Sequence, residues 1–404
     1  MNKPTRFIGL DIHKDYFVAC GVDRDQNQVY GPQRISWQQF ESWMHKHLTH
    51  QDAVVIEMTT NTWEVHDALL PNVYSVTVVH PPHVALIVRA QVKTDKKAAL
   101  TLAQLLAAGL LPGIWVPPQE IRELRALVAQ RHKISRLGAI AKNRLHSVLH
   151  QHHILPPSDC DMFDARNRDW WLSLDVTNLE KIRITCDLDT LEFARKQKDI
   201  LEDCLAEQAA KDERIPLLIQ LPGIGLLTAI TIIAAIGDIT RFPEARKLVG
   251  YAGLGARVHD SGQLHTSGAI TKTGRRDLRR AMADAANHAV QHHSHWKREL
   301  ERLEPRLGRS KAIIAIARKL LIAVWHVLFK SVADCHADPR DVACSLFAHA
   351  YRVKVRNLPN GLSAKDFTRQ QLDRLGIGQD LKMIPWGTKK VKLPPSKLST
   401  ASKH

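Results

Sequence analysis

The chain lacks closely spaced cysteines. Its six, Cys20, Cys160, Cys186, Cys204, Cys335 and Cys344, lie far apart, and no CxxC pair occurs. That spacing argues against a disulfide framework and against a zinc ribbon, and a reducing cytoplasm is the expected setting. The N-terminal stretch MNKPTRFIGLDIHKD lacks the apolar core of a signal peptide, so no leader is expected. The longest apolar runs, such as residues 312–329, are interrupted by Arg318, Lys319 and His326. They read as too short or too charged to span a bilayer, and no membrane partner is expected. No internal repeat is visible. Acid is in deficit: 41 Asp and Glu face 57 Lys and Arg, leaving a net charge of +16. A field of that size points to a polyanionic partner, nucleic acid before membrane. The 22 histidines stand outside that count and strengthen the same field where phosphates protonate them.

What is present fits two or three domains in 404 residues. Residues 5–115 read as α/β. RFIGLDIH and YFVACGVD are two β-rich runs split by a polar turn, a hairpin signal. AVVIEM (53–58) reads as a buried strand ending in an acid. YSVTVVHPP (74–82) reads as a strand stopped by Pro81 and Pro82, and a helix is expected from Asp95 to Leu111. Residues 119–154 carry a helical apolar stripe through Ile121, Leu124, Val128, Ile134, Leu137, Ala141, Leu145 and Val148. Their other faces are basic, and Glu123 is the only acid between Ile121 and His153. A second long helix is expected from Asp189 to Lys211. The two helices either pair or form a coiled coil between chains. Residues 213–333 read as mostly helical. From residue 336 onward the chain turns polar and basic, and its last dozen residues read as a disordered tail. The division expected is 1–118, 119–212, 213–335 and 336–404.

Three acids end or open elements of the first region. Asp11 ends the first strand, Glu57 ends a later one, and Asp95 opens a helix. Carboxylates at strand ends are how RNase H-type nucleases hold Mg²⁺, whose hard charge takes oxygen ligands. Singly, each acid is also explained as a turn residue, a strand terminus and a helix N-cap. The segment LIQLPGIGLLTAI (218–230) reads as one hairpin of a helix-hairpin-helix, with Gly223 and Gly225 baring amides to a DNA phosphate, or as an ordinary turn between core helices. TKTGRRDLRRAMADAA (271–286) sets Arg275, Arg276, Arg279 and Arg280 on adjoining helical faces, dense enough to clamp phosphates, with Lys272 just before them as a further contact. A charged surface helix is the alternative. On the long basic helix, Arg125, Arg131, Lys133, Arg136, Lys142 and Arg144 offer a landing surface for nucleic acid. The loop RVHDSGQLHTSG holds Ser261, either a turn serine or a nucleophile. Clustered histidines lack nearby cysteine, so zinc is not expected.

Together GLDIHK, IEMTTNTW, VKTDKKAALTLAQLL, LIQLPGIGLLTAITIIAAIGDITRF, LVGYAGLGARVHDSGQLHTSGAITKTGRRDLRRAMADAA and KLLIAVWHVLF resemble the DEDD transposases of the insertion-sequence-110/1111 family and the related Piv-type DNA invertases. The likeness runs from Arg6 to Ser331. It implies a RuvC-like N-terminal domain, a helical coiled-coil linker, and a mainly helical C-terminal domain with a catalytic serine at Ser261. It places the metal acids, for Mg²⁺, at Asp11, Glu57 and Asp95. It implies a structured noncoding guide RNA, donor and target double-stranded DNA, a homodimer or homotetramer, and a bacterial, nucleoid-associated setting. Attack by a serine keeps the phosphodiester energy in a covalent protein–DNA bond, so strands reseal without ATP. Arg257 is placed in sequence to hold the same phosphate.

One position departs from the pattern. The family's fourth acid falls three residues after Asp95, where this chain has Ala98, and no acid occurs from Lys96 through Gln119. Two accounts fit: a deliberate change that disables the site, or a natural variant with altered or lost activity. The intact remainder of the site favours the first. Two other functions compete with recombination: a RuvC-like nuclease that cuts with water, and a nucleic-acid-binding protein without catalysis.

Overall fold

The computed structural model describes residues 3–87, 94–158, 160–261 and 264–398, with the backbone alone at residues 86, 258–261 and 264–267. The chain forms two compact units, Met1–Pro118 and Gln119–His404.

The first unit is built on a five-stranded mixed sheet. Its strands are β1 (Arg6–Ile12), β2 (Tyr16–Val22), β3 (Gln28–Ser36), β4 (Asp52–Glu57) and β5 (Ser75–Val79). Their order is β3-β2-β1-β4-β5. The β1–β2–β3 run is antiparallel, and β1, β4 and β5 are parallel to one another. Its α-helices among the described residues are α1 (Phe40–His47), α2 (Thr62–Leu69), α3 (Pro81–Ile87) and α4 (Asp95–Ala107). Alternation along the strands sorts the sheet's two faces. Ile8, Leu10, Ile12, Phe17, Val54 and Ile56 pack with residues of α1 and α2. Val18, Cys20 and Val55 line the opposite face, which α4 covers through Ala99 and Leu102. Pro81 and Pro82 do more than end β5. They open α3, where their missing N–H groups leave no helical hydrogen bond unmade.

The second unit starts with a long helical hairpin, α5 (Gln119–Gln151) and α7 (Asn178–Lys211), bridged by the short α6 (Arg168–Ser173). Of the two arrangements open from sequence, pairing within the chain is the one seen. Gly138 admits Ala194 and Leu191 of α7. Ala141, Leu145 and Val148 meet Ile184, Leu188 and Leu191 around the buried Trp171. Thr177 caps α7 by accepting from the Glu180 N–H, so the helix begins eleven residues before the expected start.

Beyond the hairpin come α8 (Arg214–Ile219), α9 (Leu226–Ile236), α10 (Ala245–Tyr251), the hairpin β6 (Ala256–Ser261) and β7 (Leu264–Ile270), α11 (Arg276–His292), α12 (Ser294–Leu307) and α13 (Arg309–Lys330). α13 is long and apolar enough to cross a membrane, contrary to the reading of residues 312–329 as too charged. Its apolar residues have another destination, since Ile313, Ile316, Leu320, Leu321 and Val324 are buried in the unit's core. The C-terminal stretch also folds further than its composition suggests. It forms α14 (Pro339–Arg352), α15 (Ala364–Leu375) and the hairpin β8 (Met383–Trp386) and β9 (Lys389–Lys392). Leu346, Phe347, Phe367, Leu372, Ile384 and Leu393 join the same core. Residues 394–398 are strapped to α15: Arg369 Nε donates to the Pro394 carbonyl at 2.9 Å and Ser396 Oγ bonds Asp373 at 2.7 Å. The expected disordered tail therefore falls partly on placed chain, and residues 399–404 lie outside the described residues.

Candidate functional site

Asp11 lies two residues beyond Gly9 on β1, on the face that α4 covers. Glu57 lies at the same level on the adjoining strand, because Leu10 pairs with Ile56 in parallel register. A β-carbon on residue 9 would stand 2.1 Å from the Ala99 carbonyl oxygen, so glycine alone lets α4 lie this close to the strand. The approach carries the first turn of α4, and with it Asp95, over the end of β1. Asp95 is not the helix cap. Thr94 takes that role, extended at φ −131° with its side chain accepting from the Lys97 N–H. The Asp95 carboxylate is thereby left to other partners.

Those partners include a residue absent from the sequence reading. His13 Nε2 stands 3.3 Å from Asp11 Oδ2 and 3.5 Å from Asp95 Oδ2. The ligand atoms of Asp11, His13 and Asp95 all lie within 4.8 Å of one another, and the three side chains are half-buried. Among the described residues this is the one His/Cys/Asp/Glu group able to hold a metal, and Glu57 falls outside it. The turn between β1 and β2 fixes the imidazole. The His13 N–H donates to the Tyr16 carbonyl at 2.9 Å, and its own carbonyl accepts from Trp37 Nε1 at 3.0 Å. Its ring stacks on Tyr16 with centroids 4.6 Å apart. The Tyr16 hydroxyl donates to Asp95 Oδ2 at 2.9 Å, and the Arg34 guanidinium lies 3.6 Å from the Tyr16 ring centre. The hydrogen bond to Asp95 raises the Tyr16 phenol above its ordinary pKa. His13 lies in the turn just beyond β1, which ends at Ile12, so no strand alternation marks it as a partner of Asp11. Ala98, one turn after Asp95, is half-buried and donates its N–H to Thr94 O at 2.8 Å; it offers a methyl where a ligand is expected.

The glycine turn does two jobs. Gly223 has φ +79°, and a β-carbon there would meet the Ala285 carbonyl oxygen at 2.1 Å, so it seats α11 against the turn. Gly225 caps α9, and the turn opens on a cavity of about 680 Å³ whose lining includes His288, His292, His293 and Arg352. Ser261 ends β6 opposite Leu264, so the segment read as a loop is a β-hairpin. The Ser261 side chain lies outside the described residues. Arg257, on the same strand, is exposed, with NH2 3.4 Å from the Thr271 carbonyl.

The profile of the IS116/IS110/IS902 transposase family matches residues 215–301, and an IS110-type DEDD transposase profile matches residues 8–154. Together they span more than half of the chain. The chain belongs to the IS110/IS1111 family of transposases. Among relatives of this transposase, the pilin gene-inverting protein of Moraxella bovis is 28% identical over 336 residues, covering 80% of this chain and 95% of that protein. The transposase for insertion sequence element IS1111A of Coxiella burnetii is 23% identical over 335 residues, covering 81% and 90%. A probable family 20 transposase of Pseudomonas aeruginosa is 24% identical over 343 residues, covering 80% and 96%.

The transposase divides its basic residues between structure and surface. Arg125 donates through Nε and NH2 to the carbonyls of Ala234 and Ala235 at 2.7 and 3.0 Å, capping the end of α9. Burial, with the nearby Arg275 charge, lowers its pKa. Arg275 is paired with Asp277, and Arg279 donates to the Ala252 carbonyl at 2.9 Å. Burial alone would push the Asp277 carboxyl up, but its hydrogen bond to Arg275 holds it below the usual range. Arg131 pairs with Glu202, Arg144 with Asp187 at 3.3 Å, and Lys142 lies 4.7 Å over the Phe163 ring. Arg125, Arg275 and Arg279 are thus engaged in holding the fold. Lys133, Arg136, Lys272, Arg276 and Arg280 are exposed, and Arg280 stands 3.8 Å from Asp284.

Proposed function

We propose that this chain is an RNA-guided DNA recombinase of an insertion sequence, with a RuvC-like first unit, which cuts and rejoins donor and target duplexes through a covalent serine–DNA intermediate. The observation that carries the reading is the convergence of Asp11 and Asp95, from a strand end and a helix start, in an α/β unit matched to an IS110-type DEDD transposase. Hard carboxylate oxygens and an imidazole nitrogen in one half-buried cluster fit a divalent ion, and Mg²⁺ is the ion proposed. When bound, it neutralises phosphate charge and eases ionisation of an attacking hydroxyl.

The chain's own residues then have assigned tasks. Asp11 and Asp95 hold the ion, with Glu57 beside them, and Tyr16 orients the Asp95 carboxylate through its hydroxyl. The Ser261 hydroxyl gives up its proton and bonds phosphorus, the bond to one deoxyribose oxygen breaks, and the departing oxygen takes up a proton in exchange. One phosphodiester replaces another, so the reverse step reseals the strand. Arg257 steadies the phosphate. Gly223, Gly225 and the exposed Lys272, Arg276 and Arg280 receive the DNA backbone.

Guide RNA lands on the α5 surface around Lys133 and Arg136, read by shape and backbone while base pairing carries sequence. Self-association is supported by an apolar stripe on α7. Leu179, Ile182, Phe193 and Ile200 are at least half exposed there. A dimer or tetramer follows, as exchange between two duplexes requires.

The test is recombination in a purified system with the cognate RNA, both duplexes and a divalent ion. Joined product that requires RNA and is lost in Asp11→Asn supports the reading. RNA-independent cutting without joining points instead to a water-using nuclease.

A further inference from the structure

We infer that His13 is a metal ligand of this transposase and supplies the donor that Ala98 does not. The inference rests on the carboxylate metal site proposed above.

Three observations carry it. First, α4 offers no second ligand. From Lys96 to its end at Ala107 the helix contains no acid, and Ala98 places a methyl one turn beyond Asp95. Second, among the described residues His13 Nε2 is shut off from solvent and makes no hydrogen bond, although two carboxylate oxygens face it at 3.3 and 3.5 Å. A buried nitrogen without a hydrogen bond costs free energy unless something else satisfies it. A cation shared with those oxygens does so. The spacings suit the role, since neighbouring donors about 2.1 Å from an octahedral ion stand roughly 3 Å apart. Third, the ring is held in place by other contacts. Tyr16 stacks on it while bonding Asp95, and backbone bonds to Tyr16 and Trp37 fix the turn. These contacts leave Nε2 facing the two carboxylates.

Replacing a carboxylate by an imidazole changes which ion the site prefers. Nitrogen donors suit Mn²⁺ and later divalent ions better than Mg²⁺, which takes oxygen. The site keeps its donor count but shifts towards Mn²⁺. Ala98 is then part of an altered ligand set and need not disable the protein.

The test uses the full-length protein with Mn²⁺ and Mg²⁺ alone, read by calorimetry and by pulsed electron paramagnetic resonance of bound Mn²⁺. The expected spectrum shows coupling to a nitrogen, lost in His13→Ala, with Mn²⁺ affinity falling about tenfold or more. Adding Ala98→Asp to His13→Ala restores affinity and turns the preference towards Mg²⁺, which also shows that the variant is folded. Unchanged Mn²⁺ affinity in His13→Ala and no nitrogen coupling, with binding still lost in Asp11→Asn, overturns the inference and leaves the carboxylate site standing. Binding unchanged in Asp11→Asn overturns both.

Discussion

Gly9 of β1 and Ala99 of α4 touch so closely that a β-carbon on the glycine would sit 2.1 Å from the alanine carbonyl oxygen. Asp11 lies two residues beyond the first and Asp95 one helical turn before the second. This contact sets how far apart the two carboxylates stand. Gly9→Ala pushes α4 off the sheet. The expected cost is about 1–3 kcal/mol of stability, the range for overpacking. Divalent-ion affinity falls with it, although no ligand is touched. Thermal melting with calorimetry of metal binding checks both. A variant with unchanged ion affinity contradicts the coupling.

Arg125 and Arg136 stand on the same helix with opposite expectations. Arg125→Ala strips two α9 carbonyls of their donor and is expected to cost about 1–3 kcal/mol, with RNA affinity little changed at temperatures where the fold holds. Lys133→Ala with Arg136→Ala leaves stability nearly intact. It weakens RNA binding and reduces the salt slope by about one for each charge that meets a phosphate. Melting curves and salt titrations of RNA binding separate the two cases.

The α7 stripe is expected to hold copies of the chain together. Phe193→Asp with Ile200→Asp places charge on positions 50% and 62% exposed, so the protomer still folds. The mass measured by light scattering falls towards that of a single chain. An unchanged mass removes α7 from the interface.

His349 gives the transposase an acid-labile core. It is 3% exposed, its Nδ1 has no hydrogen-bond partner among the described residues, and burial depresses its pKa to about 4. In the unfolded chain the ordinary value is about 6.5. Between those values the unfolded chain binds the proton and the folded chain does not. Stability is therefore lost as pH falls from about 6.5 to about 4, by on the order of 3 kcal/mol, and no further loss arises from this group below that. His349→Leu flattens the fall in melting temperature between pH 6.5 and pH 4.5. An equally steep fall in the variant assigns the lability elsewhere.

Much of this architecture was legible in the residues. Short β-rich and continuous apolar runs bounded by turns gave β1, β2, β4 and β5, because their residues are buried or half-buried. β3 escaped, since QVYGPQRIS is an exposed edge strand whose Gly-Pro reads as a turn. The early turns of α7 escaped because Leu179 and Ile182 face outwards and blur the stripe. The C-terminal helices escaped because lysine and arginine mask apolar positions at helical spacing. At the site, Asp11 and Asp95 were readable as an acid at a strand end and an acid at a helix start. His13 and Tyr16 were not, because their significance depends on a helix some eighty residues away being seated by Gly9. The arginines misled in a different way. Composition records a charge but not the carbonyl that has already engaged it.

The most direct measurement is a covalent-adduct assay on a denaturing gel. Protein, cognate RNA, matched donor and target duplexes and either Mn²⁺ or Mg²⁺ are incubated with the unaltered chain, Ala98→Asp, and each of these carrying Ser261→Ala. The account predicts a DNA-linked band for the unaltered chain in Mn²⁺ and for Ala98→Asp in Mg²⁺, absent from both Ser261→Ala lanes. Strand cutting that persists without a linked band, or a band that survives Ser261→Ala, would contradict it.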